Sequence, residues 1–445
     1  MYDIMTPGPT QVRENVRQAR ALACTNPDLD ADFYDFYKET CEEISELLYT
    51  KNETLILDGE GILGLEAACA TLTEKGDRVL VMDNGEYGKG FAGFVTMYGG
   101  EPVLYSTDYR NAFDVKALEE YLEKDHDFKY AALVHCDTPS GMLNDVSKLC
   151  PLLKKYGILT LVDSVSAMFG EEMRVDDYRI DLLCGGSQKA VSAPPGLSFV
   201  TISDDAYKAM HSRKTPVASF YANILAFDGY YEKQWFPYTM PISDIYGLRQ
   251  AFDNIKNDPG MLERHAKIGE AVRGAVVEAG LELYQETGFS NTVTVFNVPE
   301  GTTDTAILTA MKEKCNIMLA GSFGAFAGKV LVRPGAQHTN SQQTNRNLCA
   351  TRDAHMYTQP QLEIYADDVK CSHGATVGQL DENALFYMQQ RGISLHEARL
   401  LLMFAFVNEV IDTIRLEALK DRLHLLVEKR FRGELNKCRG CAMCK

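Results

Sequence analysis

LTLVDSVSAMFGEEMRVDDYRIDLLCGGSQKAVSAPPGLSFVTI (residues 159–202) decides the fold. Three short apolar runs within it, LTLVD, DLLC and LSFVTI, are bounded by Gly, Ser, Pro and Asp. Such runs read as strands buried on both faces. Upstream the pattern recurs at TLIL (54–57), RVLVM (78–82), PVLY (102–105) and YAALVH (130–135). Between several of these lie helix-like stretches, GLEAACATLTEK (64–75) and DVSKLCPLLKKYG (145–157). Repeated βα alternation predicts an α/β fold with a mostly parallel, seven-stranded sheet covered by helices. In such sheets the chemistry gathers at the carboxyl ends of the strands.

Downstream the texture changes twice. Over 255–320 a helical run (MLERHAKIGEAVRGAVVEAG), an alternating run predicted as a strand (NTVTVFNV, 291–298) and a second helix (TDTAILTAMKEK) suggest a smaller α+β domain. After Gly328 the chain turns polar, with short β segments and no long helix, and from about 381 to 432 it becomes helical. The expected division is 1–254, 255–327 and 328–445.

The 445 residues are 45% hydrophobic and 24% charged, which predicts a folded globular protein with a sizeable core. A net charge of −17 argues against nucleic acid or an anionic membrane as partner. No apolar run reaches the roughly 20 residues that span a bilayer, and the first residues lack a secretory pattern. The expected location is cytoplasmic. Many of the twelve cysteines sit in apolar runs, as buried thiols of a reducing compartment do.

Two residues carry the chemistry. Lys189 follows a strand end and is flanked by Gly, Ser and Pro, and Asp163 ends an apolar strand. A carboxylate there is costly unless it pairs with a cation. A solvated loop lysine and a helix-capping aspartate are the alternatives. The stretch LILDGEGILGLEAACATL reads as strand, glycine-rich turn and helix, with Gly61 and Ile62 at a helix start whose N–H groups attract phosphate.

Read together, TPGPTQV (6–12), DGEGILGLEAA (58–68), DNGEYGKGF (83–91), HCDTPSG (135–141), LVDSVSA (161–167) and GGSQKAVSAPPG (185–196) resemble the class V aminotransferases of pyridoxal 5′-phosphate (PLP) fold type I, over about residues 3–327. The pattern is similar to the alanine–glyoxylate, serine–pyruvate and 2-aminoethylphosphonate transaminases. The resemblance implies that Lys189 joins the cofactor covalently and that Asp163 bonds its ring nitrogen. It implies Val165 under the ring, Tyr87 stacked on it, Thr138 near its hydroxyl, and Ser187 and Gln188 toward its phosphate. FPYTMPIS (236–243) resembles a segment that reaches a neighbouring subunit's phosphate through Tyr238 and Thr239, which implies a homodimer. For Tyr87 and Tyr238, core packing is the alternative. Cysteine desulfurases, the rival in this class, usually place His before the lysine, where this chain has Gln188, and carry a late-loop Cys that VRPGAQHTN lacks.

Near GKV (328–330) the pattern departs from that family. Arg333 stands near the place of the substrate-carboxylate arginine. From there to residue 445 the chain resembles the C-terminal part of the SufB/SufD iron–sulfur assembly scaffolds, closest to SufD. That implies the end of a β-helix, then helices, and binding of SufB- and SufC-like partners. Cys371 and His373 match that family's interface stretch, with a structural role as the alternative. Cys438, Cys441 and Cys444 have metal-ligand spacing but are one ligand short, and an exposed tail is the other reading. The expected activity is transfer of an amino group from alanine or serine to glyoxylate or pyruvate. A scaffold with a non-productive PLP domain and a desulfurase are the alternatives. Cofactor binding is expected to survive the exchanged C-terminus better than turnover does.

Overall fold

The computed structural model describes residues 2–299, 301–320, 324–332, 337–349, 356–364, 366–412 and 417–431. The chain divides into two compact units, Met1–Ala320 and Gly321–Lys445.

The first unit is built on seven strands: β1 Glu53–Asp58, β2 Arg78–Asp83, β3 Glu101–Ser106, β4 Tyr130–Val134, β5 Leu159–Asp163, β6 Leu182–Gly186 and β7 Leu197–Ile202. Their order across the sheet is β1-β7-β6-β5-β4-β2-β3. Only β7 runs antiparallel to its neighbours, β1 and β6, while the remaining pairs are parallel. This is the sheet the sequence predicts. β4, β6 and β7 are buried at every residue, as a sheet covered on both faces requires. A helix, α1 (Gly61–Leu72), lies on the sheet through Ala67, Ala68 and Ala70, which are fully buried. Small side chains let it approach closely. A methyl group at Gly64 would already meet Ser198 Cβ at 3.3 Å.

The helix Ala31–Leu47 is tied to β1 by one side chain. The buried Tyr37 hydroxyl donates to the Ile56 carbonyl at 2.7 Å and accepts from the Ile56 N–H at 2.9 Å. Around it Tyr34, Tyr230 and Phe236 form an aromatic cluster with ring centroids 4.6 to 5.5 Å apart. Five described cysteines, at 41, 69, 136, 150 and 184, are buried, and Cys24 and Cys315 are exposed.

Beyond the sheet lie the helices Met261–Glu278 and Asp304–Cys315. The alternating run 291–298 is a correction: it forms no strand, only an isolated Leu283–Phe296 bridge. Its backbone meets 282–284 through two hydrogen bonds, Asn297 N–H to the Glu282 carbonyl at 2.8 Å and Tyr284 N–H to the Val295 carbonyl at 3.0 Å, and its start is held by Glu171. The buried Glu171 carboxylate accepts from the Asn291 N–H, Asn291 Nδ2 at 2.9 Å and Ser290 Oγ at 3.0 Å. Val293 and Val295 pack on Cys136 and Ala167. The apolar alternation is thus satisfied by packing, without a ladder.

In the second unit four strands form two parallel pairs. β8 (Gly324–Val332) pairs with β10 (Met356–Ile364), and β9 (Asn340–Cys349) with β11 (Lys370–Gln379). They are nine or ten residues long, longer than the short segments expected. Each strand pairs with the one a single coil later, the arrangement of stacked β-helix turns. Helices Glu382–Gln390, Leu395–Ile411 and Glu417–Phe431 follow. Among the described residues no helix is long and apolar enough to cross a membrane.

Candidate active site

Lys189 sits on the loop between β6 and β7, and that loop is closed by hydrogen bonds. The buried Ser187 hydroxyl donates to the Pro194 carbonyl at 2.6 Å and accepts from the Leu197 N–H at 3.3 Å. Ser187 N–H donates to Leu197 O at 3.0 Å. The N-terminal segment clamps the outer side: Thr10 Oγ1 donates to the Lys189 carbonyl at 2.8 Å, and Thr10 N–H to the Gln188 carbonyl at 3.0 Å. Gly8 lies against the lysine stem, where a Cβ would stand 2.4 Å from Lys189 Cδ. A fixed loop under a fixed strap leaves the amine little freedom.

The amine faces a cavity of about 350 Å³ at the carboxyl ends of the strands, lined by Lys189, Asp163, Val165, Thr138, Tyr87 and Gln188 among others. Lys189 Nζ donates to Thr138 Oγ1 at 3.4 Å. Burial lowers the amine's pKa, and the nearby Asp163 carboxylate opposes that shift. Asp163, the last residue of β5, is 6% exposed, and its Oδ1 accepts from the Val165 N–H at 2.9 Å. Burial pushes its carboxyl up to about 7. Beneath it His135 is buried with Nδ1 3.0 Å from Ser164 Oγ, and burial lowers its pKa to about 4.

Two glycines make room for Val165. A Cβ at Gly61 would meet Val165 Cγ2 at 2.8 Å, and one at Gly186 would meet Cγ1 at 3.1 Å. Across the cavity Tyr87 opens the helix α2 (Glu86–Met97) and is 42% exposed. Its N–H donates to Asp137 Oδ1 at 2.9 Å, and Asp137 also accepts from Ser140 Oγ at 2.7 Å. Buried Asp137, its pKa raised by desolvation, fixes the start of α2 and with it the tyrosine.

At the far end α1 begins with Gly61 and Ile62. Its cap is Glu60, whose Oε1 accepts from the Ile62 N–H at 3.3 Å and whose Oε2 accepts from Gln188 Nε2 at 2.8 Å. Two buried polar atoms of residues lining the cavity, Gln188 Oε1 and Ser166 Oγ, have no hydrogen-bond partner.

The structure thus gathers Lys189, Asp163, Val165, Tyr87, Thr138, Gly61, Ile62 and Gln188 around one cavity. Ser187 is not among its lining, because its hydroxyl holds the loop. Tyr238 and Thr239 do not line it either: Tyr238 stacks on Tyr221 with centroids 4.1 Å apart, and Thr239 Oγ1 donates to Asp28 Oδ2 at 2.8 Å. Sequence reasoning missed Gly8, Pro9, Glu60, Cys136 and Ser166, which also line it. Arg333, Cys438, Cys441 and Cys444 lie outside the described residues. Cys371 and His373 stand on β11, opposite Ser341 and Gln343 of β9. Among the described residues no three His, Cys, Asp or Glu side chains cluster as a metal site.

A planar aromatic aldehyde with a basic ring nitrogen fits the ring end of this cavity: an amine, a buried acid, a branched floor and an aromatic lid are all present.

A family model described as "Aminotransferase class I and II" matches residues 12–226. One described as "SUF system FeS cluster assembly, SufBD core domain" matches residues 286–406. An uncharacterized aminotransferase of Methanocaldococcus jannaschii is 32% identical over 331 residues, 74% of this chain and 86% of that protein. Alanine–glyoxylate aminotransferase of Callithrix jacchus is 30% identical over 357 residues, 78% of this chain and 85% of that one. The crystal structure of alanine–glyoxylate aminotransferase from Nostoc sp. superposes with a TM-score of 0.69 at 27% identity, covering 73% of this chain and 86% of that one.

Proposed function

The chain belongs to the alanine–glyoxylate type of class V aminotransferases, enzymes whose cofactor is PLP, and carries a fused SufBD segment; from that premise we propose that it moves an amino group from alanine or serine to glyoxylate or pyruvate with Lys189 as the covalent anchor. One observation carries the assignment: the Lys189 amine and the Asp163 carboxylate line the same cavity.

When bound, the cofactor supplies an electron sink for the bond at the amino acid's Cα. The rest falls to the chain. Burial favours the neutral Lys189 amine, the form that attacks a carbonyl and accepts the Cα proton. Asp163, held by the Val165 N–H, would pair with a protonated ring nitrogen. Val165 and Tyr87 would pack against the ring, and Thr138, 3.4 Å from the Lys189 amine, would orient that amine. Gly61, Ile62 and Gln188 shape the 5′ end from this chain, and Tyr238 and Thr239 from a second copy in a homodimer.

The enzyme works in the cytoplasm. It is organised as a PLP domain (1–254), a partial small domain (255–327) and a SufD-like segment (328–445) that meets SufB- or SufC-like partners. Stopped-flow absorbance of the cofactor-loaded protein tests the activity. Alanine shifts the visible band and releases pyruvate, and glyoxylate restores the band. Sulfide released from cysteine, with no response to alanine, refutes the proposal.

A further inference from the structure

The N-terminal strap is attached at both ends, and the two attachments serve different parts of the chain. At its start Asp3–Ile4 pairs in parallel with Ile317–Met318. The Asp3 N–H donates to the Asn316 carbonyl and the Met5 N–H to the Met318 carbonyl, each at 2.9 Å. At its other end Thr10 holds the carbonyls of Gln188 and Lys189, and Gly8 lies on the lysine stem. Between the two attachments stands TPGP (6–9).

That spacer is short and stiff. The rings of Pro7 and Pro9 fix their φ angles, and Thr6 Oγ1 donates to the Pro9 carbonyl at 2.8 Å. A slack linker would absorb a displacement at one end. A proline turn closed on itself passes it on. The Met5 side chain is 63% exposed, so its backbone, not a core contact, holds this end of the strap. The strand it is held to has a particular place in the chain. Only Leu319 and Ala320 stand between Met318 and Gly321, where the second compact unit begins. The first strand of that unit, β8, starts at Gly324.

We propose that the strap couples the two fused parts. A partner that steadies or shifts the SufBD segment changes the hold on the Lys189 loop through Ile317–Met318, and loading of Lys189 in turn steadies the chain that leads into that segment. Coupling of this kind is reciprocal. The inference rests on the reading of Lys189 as the cofactor anchor. Asp3 and Met5 are then positioning residues: neither lines the cavity, and both act through backbone N–H groups.

Hydrogen–deuterium exchange of the full-length protein, stripped of cofactor by hydroxylamine and dialysis and then measured with and without PLP, tests the coupling. PLP is expected to slow exchange about threefold or more in the Lys189 loop, and also at residues 2–5, 316–318 and 324–332. Met5→Pro removes one N–H of the pair and leaves the cavity lining unchanged. In that variant the slowing should persist in the Lys189 loop and vanish at 324–332, and PLP should dissociate about two- to tenfold faster. Met5→Ala keeps the N–H and should match the wild type. Slowing confined to the Lys189 loop overturns the proposal without any variant, as does slowing at 324–332 that Met5→Pro leaves intact. If PLP neither forms a visible band nor slows exchange around Lys189, the reading of the anchor itself fails. If it slows the loop alone, only the coupling fails.

Discussion

The burial of Asp163 has a cost that a pH series can read. In the cofactor-free protein desolvation pushes the carboxyl up to about 7, from the 3.8 of an ordinary aspartate. The folded state therefore holds this proton more tightly than the unfolded chain. Its contribution to stability is fully present below pH 4 and is lost as pH rises through about 7. Each pH unit in that window removes about 1.4 kcal/mol, so between pH 5 and pH 8 the loss is about 3 kcal/mol. Asp163→Asn has no proton to lose, and its amide oxygen still accepts from the Val165 N–H. Without cofactor, the melting temperature of wild type relative to Asp163→Asn should fall by roughly 3–5 °C from pH 5 to pH 8. Differential scanning fluorimetry of both proteins across that range measures it. With cofactor bound, the order of function is the reverse. Loss of one partner of a buried ion pair costs about 3–5 kcal/mol, so the variant should turn over at least a hundredfold more slowly. A melting difference that stays constant with pH would refute the desolvation argument, and a variant within tenfold of wild-type rate would refute the ring-nitrogen role.

Other substitutions test other parts of the site. Gly8→Ala puts a methyl group 2.4 Å from Lys189 Cδ at a backbone φ of +149°, so cofactor binding should weaken about tenfold or more while circular dichroism stays native. Tyr87→Ala removes the aromatic lid, and the PLP dissociation constant, read by absorbance, should rise roughly two- to tenfold. Lys154→Met leaves Asp181, 3% exposed and 2.8 Å from the lysine amine, without its cation; a loss of about 3 kcal/mol, seen as a melting point lower by roughly 3–5 °C, is expected without change in the visible band.

The sheet was legible because its inner strands are buried on both faces, which forces continuous apolar runs such as YAALV and LSFVTI. Lys189 and Asp163 were legible for the opposite reason: each is a charge placed where an apolar strand has just ended. What escaped depends on approach through space. Nothing local marks Gly8, whose place is set by the stem of a lysine far along the chain. Glu60 reads as one more polar residue in a turn until its carboxylate is found between a helix start and Gln188. Ser187 stands beside Gln188 in sequence, yet its hydroxyl turns back to close the loop. The run NTVTVFNV has the period of a strand, but a strand also needs a partner. Residues 282–284 supply only two backbone hydrogen bonds to it, and Glu171 holds its first residue.

The most direct test of the account is to reduce the cofactor-loaded protein with borohydride, digest it and locate the pyridoxyl adduct by mass spectrometry. The account predicts the adduct on the peptide containing Lys189, and no adduct or visible band in Lys189→Ala. An adduct on a different lysine, or equal labelling of the variant, would contradict it.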